Sequence, residues 1–290
     1  MNFKIYLILI KFGCLLAVES EESSVEMVPI RRTGFVKGFI VGGKDAKPEQ
    51  FPFVVSLIYT DYQTGYKGHN CGGIILNENW IITAAHCFVF VHDGIYEALA
   101  GQIDFRIESE FTQKRKIIEK IIHPRYNKEA ILSPHDIALG GLESKFLYNP
   151  GIQPIRLTKF GHIPRGKAIL AGWGSTSNTT DVVLPYTLQY VKLPIMSLRD
   201  CFEVLTNTSF HWTNICTGPL HGGAASCGGD SGAGLIQYSN NNKRVYLLGT
   251  VSWGWFPCAQ PYQPTIFVRT SAYVDWIREN TANMPNSKIN

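Results

Sequence analysis

From Ile40 onward the sequence is cut into short apolar runs by turn-forming clusters, and this limits the fold more than any other feature. Phe53–Tyr59, Gly73–Leu76, Trp80–Thr83, Lys116–Ile122, Ala168–Trp173, Val245–Trp253 and Ile266–Arg269 are rich in Val, Ile and aromatic residues. Clusters such as Asn77-Glu78-Asn79 and Asn240-Asn241-Asn242 separate them. Runs of this kind read as strands, and their even spacing predicts an all-β sandwich or barrel. Only Ser271–Asn280 has a helical pattern. Tyr273, Trp276 and Ile277 fall on one face, and Ser271 stands where an N-cap belongs. The 27 Gly and 15 Pro among 290 residues suit a turn-rich β protein. No internal repeat or low-complexity tract interrupts the pattern.

Residues before Ile40 are different in kind. Ile5 to Val18 is apolar apart from Lys11, follows Lys4, and precedes the acidic stretch Glu19-Ser20-Glu21-Glu22. A run this short beside Ala17 and Ser20 reads as a cleaved signal peptide, residues 1–20, with a buried strand or signal anchor as the alternative. Residues 21–39 turn from acidic to basic without apolar periodicity and read as a propeptide, leaving 40–290 as the folded domain. The mature product is expected to be secreted and extracellular.

Composition closes off other classes. Charged residues are 17% of the chain and hydrophobic ones 45%, which excludes a disordered polymer. A net charge of +4 is too mild to argue for a nucleic-acid or membrane partner. Of the seven cysteines, Cys14 leaves with the signal peptide; Cys71, Cys87, Cys201, Cys216, Cys227 and Cys258 remain. An even number in an oxidising compartment points to disulfides, and spacing alone leaves the connectivity open. Zinc is the weaker reading, because no close C-x-x-C pair occurs. The sequons at Asn178 and Asn207 fit secretion as glycosylation sites.

Three segments carry chemistry: Thr83-Ala84-Ala85-His86-Cys87, Asp136-Ile137-Ala138-Leu139 and Gly229-Asp230-Ser231-Gly232. A serine hydroxyl is a poor nucleophile at neutral pH. It needs a base within hydrogen-bond reach and an acid to orient that base. Ser231, His86 and Asp136 supply one of each, and Gly229 leaves room for N–H groups to converge on an oxyanion. Singly, each has an ordinary structural explanation. Together, in a secreted β-rich chain with six cysteines, they point to acyl-transfer chemistry.

On these segments, and on Ile40-Val41-Gly42-Gly43, Cys71-Gly72-Gly73, Gly172-Trp173-Gly174 and Ser252-Trp253-Gly254, the chain resembles the chymotrypsin/trypsin family of serine peptidases from Ile40 to about Asn280. The resemblance implies two six-stranded antiparallel β-barrels with a C-terminal helix and the site between them. It implies disulfides Cys71–Cys87, Cys201–Cys216 and Cys227–Cys258. Ser231 is then the nucleophile, His86 the base, Asp136 its orienter, and the N–H groups of Gly229 and Ser231 the oxyanion hole. Asp230 is to receive the ammonium of Ile40 once the Phe39–Ile40 bond is cut. Before that cut, the resemblance offers Asp230 a bond to His69, with Ser56 nearby. No cofactor and no metal are implied, and Gln102 argues against a calcium site. The implied partners are protein or peptide substrates and protein inhibitors.

Several positions depart from the family pattern. Gly228, before Gly229, stands where a larger side chain is common, and Ala233-Gly234 where Gly-Pro is usual; two adjacent glycines cost backbone entropy, so the oxyanion loop is expected to be less pre-set. The segment from Leu57 to Cys71 is long for such a chain. The substrate-binding residues implied are Ala225, Ser252, Gly254 and Thr265. Ala225 at the pocket base gives a guanidinium no counter-charge. Leu, Phe, Tyr or Met is therefore expected at P1, with small aliphatic residues as the alternative; Trp255 and Phe256 add apolar surface at the rim. A non-catalytic binding protein of the same fold is the rival reading. Such homologues usually lack a triad residue, and none is lacking here. Phe39 before the cut site, in place of Arg or Lys, points to activation by an enzyme of the same preference, a second copy of this chain included, with a tryptic cut after Lys37 and aminopeptidase trimming of Gly38 and Phe39 as the alternative.

Overall fold

The computed structural model of the protein describes residues 40–89, 94–130, 132–205, 210–239, 241 and 243–282. The expected signal peptide and propeptide, with Cys14 and Phe39, lie outside the described residues, as does Asn207. The architecture is mostly β. A short strand β1 (Lys44–Asp45) precedes β2 (Val54–Asp61), β3 (Lys67–Ile75), β4 (Trp80–Thr83), the one-turn helix α1 (His86–Val89), β5 (Gly94–Ala100), β6 (Gln113–Ile122) and β7 (Ala138–Leu142). Strands β2 to β7 close into an antiparallel barrel in the order β2-β3-β4-β7-β6-β5. Val55, Leu57, Ile75, Ile81, Tyr96 and Leu142 fill it.

The second half runs through β8 (Arg156–Leu157), β9 (Lys167–Gly172), β10 (Gln189–Pro194), α2 (Leu198–Val204), β11 (Asn214–Thr217), β12 (Gly234–Tyr238), β13 (Val245–Trp253), β14 (Thr265–Arg269) and α3 (Val274–Thr281). These strands, with β1, make one eight-stranded sheet, ordered β1-β10-β9-β12-β13-β14-β11 with β8 added parallel to β13. The expected second barrel is thus a curled sheet. Its two edges meet past the end of β10, where a bridge joins Ile195 to Thr217.

One of the two main core clusters lies between the two halves. Phe53, Ile74, Trp80 and Ile137 of the first meet Trp173, Leu188, Leu247 and Val268 of the second, with Tyr273 and Ile277 of the C-terminal region packed on them. Burying this many large apolar side chains holds the halves at fixed distance, with the cleft at their seam. The three disulfides pair Cys71–Cys87, Cys201–Cys216 and Cys227–Cys258, as the family resemblance implies.

The C-terminal helix forms, but Ser271 does not cap it. Thr270–Ala272 is a 3-10 turn, and Tyr273 occupies the N-cap of α3 with no side-chain cap bond. The Ser271 hydroxyl instead donates to the His162 carbonyl at 2.6 Å. A tertiary acceptor has taken the side chain that local sequence assigns to the helix end. The apolar runs give no sign of strands β1, β5, β7, β8, β10, β11 and β12 or of helices α1 and α2.

Candidate active site

Strand β4 and the two buried alanines after it deliver His86 to the first turn of α1, and the Cys71–Cys87 disulfide ties that turn to β3. The backbone N–H of His86 donates to Asp136 Oδ1 at 2.9 Å, and the ring Nδ1 lies 2.7 Å from Asp136 Oδ2. A carboxylate only accepts, so Nδ1 carries a proton, and in the neutral ring Nε2 keeps its lone pair. That Nε2 is buried and has no hydrogen-bond partner.

Asp136 is 2% exposed, just before β7. Its Oδ2 also accepts from Ser252 Oγ at 2.7 Å, a bond that reaches across from β13 in the other half. Burial pushes its carboxyl up, but His86 and these hydrogen bonds outweigh that and hold it below the usual carboxylate value.

Ser231 sits on a double turn. Asp230 N–H donates to the Cys227 carbonyl at 3.0 Å and Ala233 N–H to the Asp230 carbonyl at 2.9 Å. Gly229 and Gly232 supply the positive φ angles, 96° and 76°, that side-chain-bearing residues rarely adopt. The turn is pinned to β3, because Gly72 N–H donates to the Ser231 carbonyl at 2.8 Å. Since Cys71 Sγ lies within 4.8 Å of a His86 ring nitrogen, this bond brings Ser231 to the histidine's side of the cleft. No hydrogen bond joins Ser231 Oγ to His86 Nε2. Among the described residues neither the Gly229 nor the Ser231 N–H is spent on an acceptor. Cys71, His86 and Cys87 come together closely enough to hold a cation, but the two sulfurs are bonded to each other and offer no thiolate.

Asp230 is fully buried and accepts from Cys227 N–H at 2.9 Å and Gly174 N–H at 2.8 Å. Burial pushes its carboxyl up to about 7, and the two N–H donors offset only part of that. The expected bond from His69 to Asp230 is not made. His69 is held by Ser56 Oγ on Nδ1 at 2.7 Å, and its Nε2 meets the Gly229 carbonyl at 2.9 Å. Both ring nitrogens of His69 are thus engaged by partners other than the carboxylate. The Ile40 side chain is buried among Ala168, Leu170, Val191 and Phe267.

The expected pocket residues also gather on this half. Ala225 is buried, in a cluster with Val41, the Cys227–Cys258 disulfide and Phe256. Thr265 Oγ1 accepts from Ser226 N–H at 3.1 Å, so its polar tip is turned to backbone already present. Gly254 and Gly228 each have open space where a side chain would begin. Trp255 packs toward Trp253, ring centroids 5.2 Å apart, rather than standing free at the rim. Asn178 is exposed on the loop after Trp173. Two contacts had no signal in the sequence: the Ser252–Asp136 bond, and Leu184, whose Cδ2 lies 3.3 Å from where a Gly229 Cβ would stand.

The sequence model of the trypsin family matches residues 40–277. The chain belongs to the trypsin family. It is 35% identical over 250 residues to Trypsin-1 of Astacus astacus, covering 83% of this chain and 99% of that protein. It is 34% identical over 247 residues to coagulation factor IX of Cavia porcellus (82% and 80%) and 30% identical over 272 residues to Lectizyme of Glossina austeni (90% and 93%). Membership of the trypsin family makes peptide-bond hydrolysis with protein substrates the relevant chemistry. No helix among the described residues is long and apolar enough to cross a membrane.

Proposed function

We propose that the chain is a secreted serine endopeptidase, made as a zymogen, that cleaves after apolar P1 residues without a cofactor. One observation carries the chemistry: His86 donates through Nδ1 to Asp136 and keeps Nε2 unpartnered, on the side of the cleft where Gly72 anchors Ser231. Ser231 Oγ attacks the scissile carbonyl carbon while His86 Nε2 takes its proton. The N–H groups of Gly229 and Ser231 receive the negative oxygen. His86 then returns the proton to the departing amine, leaving an acyl-Ser231 ester. Water, deprotonated by His86, attacks that ester and frees the acid, and Ser231 recovers its proton. These roles are those of the family's best-studied members, carried over by position.

Activation follows from Asp230. Cutting Phe39–Ile40 creates an ammonium at a residue whose side chain is already buried in the second-half core cluster that includes Ala233. A cut after Lys37 would leave Gly38-Phe39 in front, and roughly 6–7 Å of extra chain has no room beside a buried carboxyl. Phe39 fits a pocket based on Ala225, so active enzyme converts proenzyme. Adding active enzyme to an inert Ser231→Ala proenzyme should yield a chain starting at Ile40. Full activity after trypsin alone, with Gly38 as the stable N-terminus, would rule this out.

The P1 preference rests on Ala225 and Thr265. A peptide-library profile of the activated enzyme should show Leu, Phe, Tyr or Met at P1, with arginyl peptides cleaved at least roughly a hundredfold less well, since an unpaired buried charge costs several kcal/mol. A preference for Ala or Val at P1 would favour the elastase-like reading. Labelling of Ser231 by a fluorophosphonate separates both from a non-catalytic binding homologue.

A further inference from the structure

Away from the cleft, a cavity of ≈ 450 Å³ opens between the start of α2, β11 and the segment before β9. Its size is in the range of small-molecule sites, about 300–1,000 Å³. Ile163, Ile195, Met196, Leu198 and Ile215 give it apolar walls, beside the Cys201–Cys216 disulfide. Arg165 and Arg269 also line it, and no Asp or Glu does.

Arg269 is the unusual member. It is 3% exposed. Its guanidinium donates to the carbonyls of His162 at 3.0 Å and Trp212 at 3.2 Å and to Ser271 Oγ at 3.2 Å, all neutral acceptors. Its Nε–H is buried with no acceptor. Among the described residues no carboxylate forms an ion pair with it. Buried arginines are ordinarily paired, because a desolvated cation without a counter-charge is costly. Burial accordingly pushes this guanidinium's pKa down, against a small upward pull from Tyr273. The half-exposed Trp212 indole lies 5.5 Å from the guanidinium carbon.

We propose that this cavity binds an organic carboxylate carried on an apolar chain. The carboxylate brings Arg269 the counter-charge it lacks, with Arg165 as a second cation at the rim, and the chain covers the aliphatic walls. An inorganic anion satisfies the first requirement and leaves the walls wet; a neutral alkyl compound does the reverse. The site is independent of the peptidase reading.

The probe is sodium decanoate, below its micelle concentration, titrated calorimetrically into the full-length Ser231→Ala chain. Saturable one-to-one binding is expected, with decanol and sulfate each binding at least tenfold more weakly. Trp212 fluorescence should change with the same midpoint, and Trp212→Phe should remove that change while calorimetric binding persists. Arg269→Met should weaken decanoate at least tenfold and leave decanol unaffected. Because that variant removes a buried group and has a risk of misfolding, Arg165→Gln at the exposed rim serves as the second arm, with a several-fold loss expected. Equal affinity for decanoate and decanol, equal affinity for sulfate, or decanoate binding unchanged in Arg165→Gln and in any folded Arg269→Met would overturn the proposal.

Discussion

The two halves of the candidate site stand in different states of readiness in the uncut chain. On the first-barrel side, His86 and Asp136 are locked by two hydrogen bonds, and Ser252 adds a third to the same carboxylate. Every buried charge there has a partner. On the second-sheet side, Asp230 is buried with two amide donors, and among the described residues no cation pairs with it and neither the Gly229 nor the Ser231 N–H is spent on an acceptor. The difference teaches where control of such a molecule is placed. On the proposed reading, the proton-transfer pair His86–Asp136 is built by folding alone, whereas the oxyanion side holds a buried carboxyl, Asp230, that only two amides satisfy.

The comparison breaks most visibly under substitution of the proton-transfer residues. Ser231→Ala and His86→Ala should each lower kcat of the activated enzyme by roughly 10⁶, and the double variant by little more, because the residues act as a unit. Asp136→Asn should lower it by about 10⁴ through the wrong His86 tautomer. Both magnitudes are taken over from other serine peptidases. Steady-state kinetics on one peptide checks all four proteins; additive losses would show that the pair is not a unit.

Next in size is the charge on the other side. Acetylating the Ile40 amine of cleaved enzyme should reduce kcat by about 10²–10³, the scale of losing an oxyanion donor. A free α-amine titrates at about 7.7–8.0, and an adjacent Asp230 carboxylate raises it. Its contribution is then complete below the unfolded value and disappears as pH rises through the higher folded value. Activity of the unmodified enzyme should fall on that limb. An unchanged rate and alkaline limb after acetylation would remove Ile40 from the mechanism.

A smaller effect is expected at the seam. Ser252→Ala removes one hydrogen bond to a charged acceptor, worth about 1.5–3 kcal/mol. Much of that is recovered because His86 still holds Asp136 through two bonds, so kcat/KM should fall less than about tenfold. A loss as large as that of Asp136→Asn would mean that Ser252, and not His86, fixes the carboxylate.

A separate effect is on stability, not on rate, and belongs to the proposed uncut chain. A carboxyl whose folded pKa is raised to about 7 binds its proton more tightly folded than unfolded. The uncut protein should therefore lose stability as pH rises from about 4 to about 7. In Asp230→Asn this part of the slope should vanish. Each kcal/mol involved corresponds to roughly 2–4 °C in melting temperature for a domain of this size, so thermal melts across that pH range suffice. Cleaved enzyme, where the ammonium supplies a partner, should show the opposite slope at this residue.

Legibility from sequence divides along physical lines. β4 and β13 could be read because their residues are almost continuously apolar or β-branched. β7 and β12 could not, since their glycines meet close neighbours: a Cβ at Gly140 would stand 3.0 Å from Ile81 Cγ1, and Gly234 is crowded by Ile74. Those glycines weaken the strand signal while serving the packing of the strand. Helix α2 buries only Cys201 and so has no apolar stripe to recognise. The residues at the site were legible because His86, Asp136 and Ser231 each sit in a short motif. The bonds between distant residues were not: Ser252 reaches Asp136 across 116 positions, and His69 reaches the Gly229 carbonyl across 160.

The setting of Asp230 bears on how such a chain can drift. Gly172 and Gly174 flank it so closely that a Cβ at either would fall on its carboxyl group. Two positions more than fifty residues away in sequence are thereby frozen by a single acidic side chain. Gly228 and Gly254, with open space around them, carry no such restriction. Substitutions that tune what the cleft accepts can accumulate at the open glycines one at a time. Change at the other pair would demand a simultaneous replacement of Asp230, a step that no single-residue path through working enzymes passes. If Asp230 is the activation residue proposed above, descendants of this sequence can alter their diet of substrates long before they can alter how they are switched on.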